Sequence, residues 1–152
     1  MLQKIFFAIA LVLVVGYATL MIMPIDPVEQ RPGTKLSGEL VEVPVTDWSF
    51  HESRTLVYVQ TNTWYGIPHS ITTTSMVLDG DLYVPCGWCA TKRWPKNVAS
   101  DPDVIVKVGG KRYPLRAELI EDPATVERVF KGLAMRNLED LDGVALYQMV
   151  NR

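Results

Sequence analysis

Cys86 and Cys89 are the chain's two cysteines, spaced C-x-x-C, and that spacing leaves three chemistries open. In an oxidising compartment two cysteines with none to spare join as a disulfide. A loop this short saves little chain entropy, so as a staple it is weak. A redox-active pair is the second reading: Cys89 stands just before a helix start and the cations Lys92 and Arg93, all of which favour a thiolate. The thioredoxin-like order of strands and helices is absent. Zinc is the third, with Cys86, Cys89 and two further ligands from His51, His69 or a carboxylate, but C-x-x-C alone is half a site. Covalent c-type haem attachment needs histidine after the second cysteine, and Ala90 stands there.

Other side chains of chemical interest cluster nearby. Upstream lie His69, Ser70 and the run Thr72, Thr73, Thr74; downstream lie Thr91, Lys92, Arg93 and Asn97. Hydroxyl donors, one or two cations and a helix N-terminus together suit a phosphate. Trp48, Trp64, Trp88 and Trp94 are the four tryptophans. Core packing accounts for two of them, whereas Trp88 and Trp94 flank the threonine and basic clusters and could stack on a planar ring. His51 and His69 read first as surface or hydrogen-bonded residues. There is no glycine-rich phosphate loop, no nucleophile elbow and no ordered serine–histidine–acid set, and Asp79, Asp81, Asp101 and Asp103 sit where turns form.

The elements that must hold these residues follow from periodicity. Glu39 to Val45, Leu56 to Thr61, His69 to Leu78, Asp81 to Val84, Asp103 to Val108 and Lys111 to Ile120 read as strands. Asp79-Gly80 is a two-residue hairpin signal. In the arm before it, Ser70, Thr72, Thr74 and Met76 alternate with His69, Ile71, Thr73, Ser75 and Val77, so neither face is apolar. Such a strand borders a pocket better than it fills a core. Lys92 to Ala99 reads as a short helix. Asp122-Pro123 is a capped helix start, and Val126, Val129, Phe130 and Leu133 continue at helical spacing to about Arg136. Val144 to Val150 fits a final strand better than a second helix. Six to seven strands with short helices give a mainly β (α+β) domain, a small barrel or sandwich.

In the chain of 152 residues with net charge −2, the two signs are interspersed, which leaves no basic footprint for nucleic acid. Ile5 to Met23 is an uncharged apolar run of about 19 residues, roughly 28 Å as a helix and close to the hydrocarbon thickness of a bilayer. Lys4 precedes it and Asp26 and Glu29 follow, which places the N-terminus in the cytoplasm and the domain in the periplasm of a single-pass inner-membrane protein. A cleaved signal peptide is the competing reading, although no small-x-small site follows the run. The expected organisation is a transmembrane anchor over 1–23, an extended proline-containing linker over 24–37 that lifts the domain off the bilayer, and a β domain over 38–152.

From Gln60 to Val108, about a third of the chain, the order of motifs resembles the pyridoxamine-phosphate-oxidase-like split β-barrel family. That family includes a flavin- or deazaflavin-dependent nitroreductase-like branch and haem-handling members. The matching features are Gly66-Ile67-Pro68-His69 opening a strand, Asp79-Gly80-Asp81-Leu82-Tyr83 as the hairpin, Thr91-Lys92-Arg93-Trp94 with Asn97, and Asp101-Pro102-Asp103-Val104 leading into the next strand. The resemblance implies a split barrel that often pairs as a homodimer. It further implies an FMN or deazaflavin cofactor, with haem as the alternative, its phosphate held by His69, Ser70, Thr72, Thr73, Thr74, Thr91, Lys92 and Arg93 with Trp88 or Trp94 stacking. Two departures stand out. His69 occupies a position where many flavin-binding members carry arginine, and Pro85 to Cys89 replaces the strand end that usually meets the ring. The rival expectation is a cofactor-free accessory subunit whose single span packs beside other membrane helices.

Overall fold

The computed structural model describes residues 2–132 and 143–152. An N-terminal helix α1 (Leu2–Ile22) precedes strands β1 (Glu39–Leu40), β2 (Leu56–Thr61), β3 (His69–Thr74), β4 (Met76–Leu78) and β5 (Asp81–Cys86). A single 3-10 turn (Cys89–Thr91) runs into helix α2 (Arg93–Ser100). Strands β6 (Asp103–Val108) and β7 (Lys111–Leu119), helix α3 (Pro123–Gly132) and strand β8 (Ala145–Asn151) complete the described chain. Leu133 to Arg136, expected on α3, lie outside the described residues.

The strands form one sheet in the order β3-β2-β6-β7-β8-β5-β4, with β1 parallel to β7. The two ends of that order, β3 and β4, are neighbours in the chain, separated by Ser75 alone. The expected continuous arm His69 to Leu78 is therefore two strands with different partners. β3 pairs with β2, and β4 pairs with β5 through the Asp79-Gly80 turn. Both turn residues have positive φ, 53° and 84°, as the tight hairpin demands.

Ser75 is fully buried at the break. Its N–H donates to Thr55 O at 3.0 Å and its carbonyl accepts from Arg54 N at 2.9 Å. Its hydroxyl lies 2.7 Å from His51 Nε2. The backbone groups released where the strand changes partners are thus taken up by the 51–55 segment.

Alternation supplies the core. Val57, Val59 and Thr61 of β2 and Val104, Val106 and Val108 of β6 point inward, joined by Leu82, Val84, Leu115 and Trp48. Thr61 is polar, and it is satisfied by donating to His69 O at 3.1 Å and accepting from Asn97 Nδ2 at 2.8 Å. That second bond, with Trp94 packed 4.9 Å from the Tyr147 ring, seats α2 on the barrel. Asp122 caps α3, accepting from Thr125 N at 2.9 Å. Helix α3 buries Val129 and Phe130 against Met76, Tyr83 and Leu146 in a second cluster.

The expected strand over Glu39 to Val45 is shorter than its alternation suggests. Only Glu39 and Leu40 join the sheet; Val41 and Val45 still face the core while Val43 is exposed. Pro44 has no N–H to give and neither does Pro114, placed on β7 between the stretch paired with β1 and the stretch paired with β8. The Asn151 side chain stands in for a strand, accepting from Val45 N at 3.2 Å and donating to Val45 O at 2.9 Å.

The segment from Pro24 to Ser37 differs most from expectation: it is a strap folded onto the barrel, not an extended linker. Ile25 N donates to Lys35 O at 2.9 Å and Thr34 N to Ile25 O at 2.8 Å, while Val28 and Arg31 exchange backbone bonds at its tip. Gly33 and Ser70 exchange bonds of 2.9 and 3.1 Å, so the strap covers part of the free edge of β3. Leu36 is buried, its N–H donating to Gln60 Oε1 at 2.7 Å. Asp26 accepts from Lys107 Nζ at 2.6 Å and from Ser37 N at 2.9 Å. Burial pushes the Asp26 carboxyl up, but the Lys107 and Ser37 donors outweigh it and hold the group below the usual carboxylate range. The prolines and glycine that suggest a linker here make turns whose backbone groups are bonded internally and to β3.

Gly33 is the tightest point of the strap. A Cβ there would lie 2.1 Å from Ile25 O, 2.7 Å from Pro27 N and 2.7 Å from Ser70 Oγ. Gly33→Ala is expected to lift the strap from β3 at a cost of about 1–3 kcal/mol, read as a lower urea midpoint and faster tryptic cleavage after Lys35. An unchanged midpoint together with unchanged cleavage would show that the strap does not depend on this contact.

Candidate functional site

A cleft of about 570 Å³ opens over the free edge of β3, within the range of small-molecule sites. One wall is the tip of the strap, Glu29 to Pro32. The floor is His69, Ile71, Thr72 and Thr73, and the opposite wall is Trp88, Lys92, Arg93 and Trp94. The Gly33–Ser70 pair takes both backbone groups of Ser70. Strand alternation therefore turns the N–H and carbonyl of Thr72 toward the same side, beyond the last residue of the strap that pairs.

The floor also holds unpartnered polar atoms. His69 Nδ1 and Thr72 Oγ1 are buried without a hydrogen-bond partner among the described residues. A buried polar atom left unpaired costs about 1–3 kcal/mol, and each such atom in a native structure calls for an explanation. Burial pushes the His69 imidazole below its ordinary pKa of 6.5 and the Arg93 guanidinium lowers it further, so at neutral pH the ring is uncharged. Arg31, Lys92 and Arg93 bring three cations to the walls against one carboxylate, Glu29.

The far wall is shaped by the C-x-x-C loop. Cys86 and Cys89 are joined as a disulfide, with Cys86 buried in the core. Between them Trp88 adopts a left-handed backbone, φ 50° and ψ 42°, uncommon for a large side chain. Its indole is left 77% exposed at the cleft rim. Thr91 N donates to Trp88 O at 3.1 Å and Lys92 N to Cys89 O at 3.1 Å, which carries the chain into α2. Lys92 caps that helix without a side-chain hydrogen bond. The disulfide loop thus fixes both the rim indole and the start of the helix that brings Lys92 and Arg93 to the cleft. Among the described residues no group of three or more His, Cys, Asp and Glu side chains could hold a metal ion.

Of the residues singled out by sequence, His69, Thr72, Thr73, Trp88, Lys92, Arg93 and Trp94 meet at this cleft. Ser70, Thr74 and Thr91 do not line it. Ser70 is sealed beneath Gly33, Thr74 lies at the far end of β3 opposite Leu56, and the Thr91 hydroxyl donates to Trp88 O at 2.8 Å. Trp94 contributes an edge only, since it is 3% exposed and packed on Tyr147. Sequence reasoning missed Arg31, Glu29 and the rest of the strap wall. The signal available is Pro32-Gly33, a turn pair that a docked strap and a free linker share.

No protein-family model matches the chain, and no curated protein matches it in sequence. Among solved structures it is similar to a candidate pyridoxamine 5'-phosphate oxidase from Listeria innocua, with a TM-score of 0.53 and 22% identity over 62% of this chain and 82% of that one. It is similar to HutZ, the haem storage protein from Vibrio cholerae, with a TM-score of 0.50 and 13% identity over 65% and 82% of the two chains. It is also similar to a NimC/NimA family protein from Clostridium acetobutylicum, with a TM-score of 0.50 and 17% identity over 64% and 72%. These likenesses show the fold: a pyridoxamine 5'-phosphate oxidase-like split barrel, as the motif order from Gln60 to Val108 implies.

The electrostatics of the floor are testable by titration. Because the His69 pKa is depressed in the folded protein, the unfolded chain takes up the proton first, so the stability present above 6.5 is lost as pH falls from 6.5 through the lower folded value. NMR titration of the two histidines is expected to place the His69 midpoint below 6.5, and Arg93→Gln to raise it part of the way back. His51, remote from Arg93, serves as the internal reference. A His69 midpoint that does not respond to Arg93→Gln would remove the guanidinium as a cause.

Proposed function

We propose that the cleft binds a planar, anionic redox cofactor, FMN or deazaflavin, in a domain held at a membrane by α1. The observation that carries this reading is the unpartnered buried Thr72 Oγ1 facing three cations, Arg31, Lys92 and Arg93, around one cleft. The residues present fit such a group. Arg31, Lys92 and Arg93 would take its phosphate, Thr72 and Thr73 would give it hydrogen bonds, and the Trp88 indole would cover its ring. A bound flavin would supply hydride or electron transfer, the chemistry of the nitroreductase-like branch that the sequence resembles. The protein's own part is to bind and orient, and to keep His69 neutral within reach of the ligand.

The membrane assignment rests on α1, 21 residues long and so about 31 Å, with a mean hydropathy of 2.7 and its apolar side chains left unburied, although Tyr17 and Met21 touch the loop before β3. The expected topology puts the domain in the periplasm, and the Cys86–Cys89 disulfide supports an oxidising compartment on that side.

Haem is the second reading, favoured by one observation: a neutral, buried imidazole nitrogen without a partner is the form in which histidine ligates iron. HutZ, similar in fold, is a haem storage protein.

A visible spectrum of the purified full-length protein, followed by titration with FMN, deazaflavin and haem, separates these readings. Flavin binding is expected, and Lys92→Ala combined with Arg93→Ala is expected to weaken it at least tenfold, since each charge-assisted contact is worth about 1.5–3 kcal/mol. His69→Ala is expected to leave flavin affinity within a few-fold but to abolish a haem Soret shift if haem is the ligand. A colourless protein that binds none of the three would overturn the cofactor reading in favour of an accessory subunit.

A further inference from the structure

The loop between β2 and β3 carries an aromatic pair that the cleft does not use. Trp64 is 94% exposed, and its ring meets the Tyr65 ring edge-on at 5.3 Å. A bare indole in water is an unfavourable place for so large an apolar surface. The same loop touches α1. Tyr17 donates its hydroxyl to Tyr65 O, and a Cβ on Gly66 would lie 3.0 Å from Met21 Cε and 3.3 Å from Tyr17 Oη.

Depth follows from helix geometry. Tyr17 lies five residues before Ile22, the last residue of α1, which is about 7–8 Å along the axis. At about 31 Å, α1 matches the roughly 30 Å hydrocarbon it would cross, so its end lies close to the hydrocarbon boundary. A loop that packs beside Tyr17 and Met21 therefore reaches the level of the headgroups and the outermost acyl carbons. Tryptophan and tyrosine partition to that level, with the ring among the chains and the polar tip in the wet zone.

We propose that the Trp64–Tyr65 loop is a second membrane contact, inserted into the leaflet in which α1 ends. The inference rests on the membrane-anchor reading of α1. Its consequence for the cleft is direct. Arg93, a wall of the cleft, lies 5.1 Å over the Tyr65 ring, so the inserted loop holds that wall one side chain from the lipid headgroups.

The test uses the full chain reconstituted into phosphatidylcholine vesicles brominated either near the headgroup or near the chain ends. Trp48 and Trp94 are each 3% exposed and out of reach of lipid, and the exposed Trp88 at the cleft rim contributes alike to wild type and to Trp64→Phe, so the difference between the two reports Trp64. Headgroup-proximal bromine is expected to quench tryptophan emission more than chain-end bromine. Trp64→Phe, at an exposed site and with folding checked by far-UV circular dichroism, is expected to reduce the shallow quenching about two-fold or more. Equal quenching in wild type and Trp64→Phe, or none in wild type, would overturn the loop insertion. Alkaline carbonate washing of the same vesicles separates this from failure of the anchor. A chain retained in the vesicles but unquenched through Trp64 loses the loop contact alone; a chain released by carbonate loses the anchor and the loop contact together.

Discussion

The structure depends on how a sheet with two ends disposes of its edges. Both ends are formed by one stretch of chain, β3 and β4, which break apart at Ser75. An unpaired strand edge is costly when buried and hazardous when exposed. At the break, the Ser75 backbone bonds to Arg54 and Thr55, and its hydroxyl to His51. Beyond the break, β4 is closed by the Asp79-Gly80 hairpin and covered by α3. β3 has no such cover, and its edge is shared between the strap and the cleft.

That division explains the position of the candidate site. Gly33 pairs with Ser70 and stops, because the strap turns away at Pro32 and folds back through the Val28–Arg31 bridge. The next outward-facing backbone groups, those of Thr72, meet a cleft instead of a strand. Hydroxyls on both faces of β3, which would be a poor choice for a core strand, are then useful on the floor of a polar site. The opposite wall is set by a different constraint. The short disulfide loop closes just after β5 and leaves Trp88 in a left-handed conformation, from which the chain turns directly into α2. The Asn97–Thr61 bond holds that helix to the end of β2, so Lys92 and Arg93 reach the cleft from a fixed base.

Much of this was legible in the residues. Asp79-Gly80 needs two positive φ values and has them; Asp122-Pro123 caps α3; the alternation in β2, β6 and β7 predicts their inward faces. Seven of the ten residues chosen as cofactor ligands line one cleft. The failures have a common cause. Local pattern reports which face a side chain takes but not what lies on the strand's open edge. The run His69 to Leu78 therefore read as one strand, since nothing local marks a change of partner at Ser75. Ser70 read as a ligand because its type and neighbours suit a phosphate, whereas its burial follows from Gly33, some forty residues upstream. Pro24 to Ser37 read as a linker because proline and glycine punctuate turns in a docked strap as readily as in a free one.

The docked strap changes the relation between the helix and the barrel. A free linker of fourteen residues would let the domain wander tens of ångströms from α1. Here Asp26 stands four residues beyond the end of α1 and is already bonded to Lys107 on β6, with Lys107 only 11% exposed. A partly buried ion pair of this kind resists removal of either partner, because the other would be left desolvated and unpaired. The Tyr17–Tyr65 bond fixes the helix to the barrel at a second point. With two attachments the barrel has one orientation relative to α1, and the wall carrying Arg93 is on the side nearest the helix. The strap that forms one side of the cleft is thus the same element that sets the cleft's distance from α1, so position and binding surface come from a single folded segment.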